Sequence, residues 1–112
     1  MGAPLFHIVP AREWEHAAEP FAPASLQTEG FIHCSVREQV PLVAAALFAG
    51  RADLLLVRID PDRLAAAVRW EDCYETGEEF PHIYGPLPLD AVTDVRPYLP
   101  GGRWPFPDPE ER

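Results

Sequence analysis

Three of the four histidines stand on short apolar stretches that read as strands: His7 in Leu5-Phe6-His7-Ile8-Val9, His33 in Glu29-Gly30-Phe31-Ile32-His33-Cys34-Ser35, and His82 in Phe80-Pro81-His82-Ile83-Tyr84-Gly85-Pro86-Leu87. A single histidine on an apolar strand is most often a core side chain satisfied by a carbonyl. Three of them on separate segments suggest a cleft. Period-two alternation puts Phe31, His33 and Ser35 on one face of their strand, and His82 with Tyr84 on one face of theirs. His33 and Ser35 would then stand at the mouth of a helix, where N–H groups and Arg37 could receive a phosphate or carboxylate. Tyr84 offers a phenol to stack on a flat ring. Glu71, beside Trp70 at a strand end, could stabilise positive charge or take a proton, although it borders a solvated run with Asp72, Glu75, Glu78 and Glu79. Gly30 and Gly85 would allow close approach of a ligand, and turn formation explains both equally well.

Two other chemistries fit poorly. A zinc set of His33, Cys34, Cys73 and His82 would need neighbouring strand residues to share a face, and no Cys-x-x-Cys or His-x-x-x-His spacing is present. The same geometry separates Cys34 from His33 as a nucleophile–base pair. Cys34 reads as a small core residue on the Ile32 face, and no metal is expected.

The elements that must position these residues follow from the pattern of apolar residues and prolines. A strand over residues 4–9 runs into a helix from Pro10 to about Glu19, closed by Pro20. Residues 25–30 read as a polar loop and 31–35 as the second strand. Ser35 with Glu38 fits a capping box for a helix with Val36, Val40, Val43, Ala44, Leu47 and Phe48 on one stripe, ending at Gly50. Pro41 requires either a kink or a regular part that begins near it. The nearly continuous apolar run Leu54–Ile59 suits a central strand covered on both faces. A short helical piece follows at 60–66, then a strand at 67–71, an acidic loop at 72–79 and a short strand at 82–84. The last strand, 92–99, is demoted to an edge by Pro97. Several short strands with two main helices make this an α+β chain. It reads as a single compact domain over 1–99 with a Pro-rich tail over 100–112, whose Trp104 and Phe106 either dock or stay mobile.

At 112 residues the chain is large enough for one core without disulfides or metal. Its net charge of −9, from nine arginines, no lysine and eighteen acidic residues, would repel nucleic acid and anionic membranes. The first residues show no basic segment followed by a long apolar one, and no apolar run nears the ~20 residues of a spanning helix, so a cytoplasmic protein, monomeric or homodimeric, is expected.

Leu5-Phe6-His7-Ile8, Trp14, Ser25-Leu26, the Glu29–Ser35 and Phe80–Leu87 motifs, Gln39, Asp53-Leu54, Ile59-Asp60 and Glu71 together resemble the small, mostly bacterial proteins known as domain of unknown function 952. The resemblance covers the chain to about residue 95, with Phe21 and Phe48 standing where tyrosine is usual. It implies a compact version of the ADP-ribosyltransferase fold, a split pair of small antiparallel sheets with a cleft between them. It further implies a small nucleotide-like ligand, NAD or a relative: His7 on a ribose, His33 and Ser35 completing the cleft, and Glu71 supporting an oxocarbenium-like sugar. On that basis His7, His33 and Glu71 are the catalytic candidates, and Ser25, Ser35, Arg37, His82 and Tyr84 the ligand-binding ones. Two readings stay open: an enzyme that transfers or hydrolyses ADP-ribose, and a non-catalytic small-ligand or protein-binding module on the same fold.

Overall fold

The computed structural model describes residues 2–72 and 75–107. Among the described residues six strands form two three-stranded antiparallel sheets. The first holds β1 (Leu5–Pro10), β3 (Leu54–Ile59) and β6 (Val92–Tyr98) in the order β1-β3-β6, and the second holds β2 (Ile32–His33), β4 (Ala67–Glu71) and β5 (Phe80–Tyr84) in the order β2-β5-β4. The apolar run 54–59 is therefore central, and Pro97 sits on an edge strand, where its missing N–H costs no ladder bond.

Both faces of the first sheet are covered, which explains why β3 reads as continuously apolar. On one face Phe6, Ile8, Leu54, Leu56 and Tyr98 pack with Val40, Ala44 and Phe106. On the other Leu5, Val9, Val57 and Ile59 meet Ile32, Cys34 and Ile83 of the second sheet. The tail docks: Phe106 is buried, and its ring and that of Trp104 lie 5.8 and 5.1 Å from Phe6.

The helices depart from the sequence reading. The expected helix over 10–19 is only α1 (Ala11–Glu15), because the His16 ring bonds the Arg12 carbonyl through Nδ1 (2.8 Å) and the next amide, of Ala17, reaches back only to Trp14. The expected loop at 25–30 contains α2 (Ala24–Thr28). The helix formers in Ala24-Ser25-Leu26-Gln27 win there. Its end is fixed by Gly30 at φ +90°, which lets the amides of Glu29 and Gly30 both reach the Ser25 carbonyl. The third helix begins as a 3₁₀ turn, Arg37–Gln39, and becomes regular as α3 (Val40–Leu47) next to Pro41, whose lost N–H falls in the first turn. The cap is one residue out of the expected frame: the Val36 N–H donates to Gln39 Oε1 (3.0 Å), and Ser35 with Glu38 forms no box.

The strand expected over 31–35 pairs with β5 only at Ile32 and His33. The Cys34 N–H still donates to the Pro81 carbonyl of β5 (3.1 Å); beyond it the chain leaves β5, and Ser35 exchanges two 2.8 Å backbone hydrogen bonds with Phe6 of β1. This four-residue crossing joins the two sheets and brings His33 beside His7.

Candidate functional site

The three strand histidines converge. His7, His33 and His82 all line one open cleft of about 350 Å³, together with Ser25, Ser35 and Phe80. That volume is in the range of small-ligand sites.

His7 is buried, and its Nδ1–H donates to the His33 carbonyl at 2.7 Å. A carbonyl only accepts, so the proton is assigned to Nδ1 and the tautomer follows. Burial first, opposed by that backbone bond and reinforced by His33, lowers the His7 pKa to about 4. At neutral pH its Nε2 is therefore a lone-pair acceptor. No fully buried side-chain nitrogen or oxygen among the described residues lacks a partner, and Nε2 has none among those residues, so it opens to the cleft. The bland and the functional readings of this histidine thus describe opposite edges of one ring.

His33 is half-buried and donates from Nε2 to Glu29 Oε2 (3.0 Å). Its ring lies 5.3 Å from that of His82. His82 is 1 % exposed, stacks on Phe31 with centroids 4.1 Å apart, and donates from Nδ1 to Glu71 Oε1 at 2.8 Å. Tyr84 donates its hydroxyl to the same oxygen at 2.6 Å, and Arg69 stacks on the Tyr84 ring at 4.8 Å. The Tyr84 hydroxyl, then His82, hold Glu71 below the ordinary carboxylate range. Ser25 donates to the Phe31 carbonyl (2.9 Å), fixing the stretch ahead of β2.

Residues 8–95 match the family described as Protein of unknown function (DUF952). The chain belongs to that family. Protein CC0527 from Caulobacter crescentus is similar in structure: its crystal structure is 33 % identical over 85 % of each chain with a TM-score of 0.75. Its solution NMR structure is 32 % identical over 84 % of this chain and 83 % of that one, with a TM-score of 0.70. No curated protein matches.

Of the site residues expected from sequence, this DUF952 protein brings His7, His33, His82, Ser25 and Ser35 to the cleft wall, and leaves Arg37, Glu71 and Tyr84 out of it. Arg37 stacks on Trp104 at 4.8 Å, because the docked tail covers that side of the helix start. Glu71 and Tyr84 stand behind His82 and address the cleft only through it. Gly85 serves packing, since a Cβ there would lie 2.7 Å from that of Ala66. Phe21 packs against His7 and Trp14 in the core. Cys34 is buried, and burial raises its thiol pKa, so it is no nucleophile at neutral pH. Among the described residues no group of three His, Cys, Asp or Glu could hold a metal; Cys73 lies outside them. Nor is any described helix long and apolar enough to cross a membrane.

Sequence reasoning missed Glu13 and Arg51, which line the cleft from α1 and from the turn after α3. Arg51 is gripped by Asp53 through Nε (2.9 Å) and Nη2. An arginine just past Gly50, two residues before an aspartate and a strand, is the only signal the sequence carries for it.

Proposed function

We propose that the cleft binds a small nucleotide-like ligand of the NAD type, with a sugar hydroxyl donating to His7 Nε2. One observation carries this: a backbone carbonyl fixes His7 as an acceptor facing open space, beside the Ser35 hydroxyl and the His33 ring. A hydroxyl-bearing sugar satisfies such a wall, and the partly exposed Phe48 ring offers flat surface for a base. The fold that the sequence resemblance implies, a compact version of the ADP-ribosyltransferase fold, would suit the same ligand class.

Of the two functional readings, binding without transfer of ADP-ribose has a specific observation behind it. Glu71 spends Oε1 on His82 and Tyr84 and does not line the cleft, so the carboxylate assigned to support a sugar cation does not face one there. If transfer does occur, Glu71 acts through His82.

Titration with NAD, ADP-ribose and nicotinamide, followed by the histidine ring resonances, tests the reading. Shifts at His7 and His33 that vanish in a folded His7→Ala variant are expected, and silence with all three compounds would refute it. Nicotinamide release during the same titration would restore the transferase reading.

A further inference from the structure

Resting on that reading of the cleft, we propose that it recognises the unphosphorylated sugar-and-ring part of its ligand, a neutral or cationic nucleoside, and leaves phosphate groups outside.

The apparatus that would receive a phosphate is already occupied. The four lining groups able to carry positive charge are His7, His33, His82 and Arg51. Each of the last three has a carboxylate of its own, in Glu29, Glu71 and Asp53. His7 offers a lone pair rather than a proton. Glu13 adds a further carboxylate to the wall, close enough to Arg51 to act on its charge. At the start of the third helix, the natural place for an anion, two amides are already engaged: Gln39 Oε1 takes the Val36 N–H, and the Gln39 N–H turns back to the Val36 carbonyl at 3.0 Å. Arg37, the cation nearest that helix start in sequence, lies over Trp104. A phosphate would therefore enter a wall of paired charges beside the additional carboxylate of Glu13, in a chain of net charge −9. A nucleoside needs only acceptors, a hydroxyl and flat apolar surface, and a positively charged ring would gain from Glu13.

Two matched pairs of probes measure this: adenosine against its 5′-monophosphate, and nicotinamide riboside against nicotinamide mononucleotide, each titrated into the full chain at low and high salt. Each nucleoside is expected to bind about fivefold or more tightly than its monophosphate at low salt, with a smaller gap at high salt. Asp53→Asn supplies the second arm. It frees the Arg51 guanidinium while keeping the backbone carbonyl that accepts the Ala11 N–H at 2.7 Å. Its carboxylate is half in solvent, so the fold should persist, as a melting curve would show. Monophosphate affinity should rise about fivefold in this variant. Monophosphates binding as tightly as nucleosides to the unmodified protein, or a folded Asp53→Asn variant with an unchanged gap, would overturn the inference and leave the cleft as a nucleotide site. Failure of all four compounds to bind would remove the inference together with the reading beneath it.

Discussion

The two sheets solve the same problem, holding a histidine at the cleft, by different means. In the first sheet, packed on both faces, His7 is held by a main-chain carbonyl and surrounded by apolar side chains. In the second, whose edge strand β4 leaves Trp70 half-exposed, His82 is held by a carboxylate that a phenol also supports. A backbone partner fixes one tautomer and cannot titrate. A carboxylate partner can, so the second sheet carries the adjustable half of the site and the first the rigid half.

The largest effect that separates them is in packing. Leu56, fully buried between α3 and the docked tail, should cost about 2–5 kcal/mol when cut to alanine, read as a urea midpoint shift. Trp70→Ala on the edge of the second sheet should stay within about 1 kcal/mol. Equal losses would mean that the second sheet is as much a part of the core as the first.

Acid should separate the sheets next. His7 protonates at about 4 in the fold against 6.5 in the unfolded chain, so between those values the unfolded chain holds more protons. Stability then falls as pH drops through that window, by at most about 3 kcal/mol. Glu71, held below the ordinary carboxylate range, contributes stability that is present above its unfolded value and is lost as pH falls through its own depressed one. His7→Asn, whose amide can replace Nδ1–H as donor, should flatten the first decline and spare the second. A single decline unaffected by this substitution would contradict the assignment of the rigid half.

The sequence made the rigid half readable and hid much of the adjustable one. Apolar β1 and the long apolar run of β3 report burial directly, so the central strand, the edge proline and the face that His33 shares with Ser35 were legible. So was the irregular start of the third helix, since Pro41 leaves few options. The missed features depend on side chains from distant segments. Nothing near Glu71 in sequence says that His82 and Tyr84 will take its oxygen, and nothing near Arg37 says that Trp104 will cover it. The two-residue length of β2 follows from a crossing to Phe6 that no local pattern encodes, and α2 was lost because its polar residues look like a loop.

Tyr84→Phe probes the adjustable half with the least disturbance. It removes one hydroxyl, keeps the ring on which Arg69 stacks, and leaves Glu71 with His82 alone. The bond lies at a part-buried position, so its loss should cost about 1 kcal/mol. The more telling change is local. With the hydroxyl that lowers it most gone, the Glu71 carboxyl should titrate nearer the ordinary range, and the His82 ring resonances should follow that titration through the Nδ1 contact, while those of His7 stay still. Movement at His7 of the same size would mean that the two histidines are coupled across the cleft and that the division between a rigid and an adjustable wall does not hold.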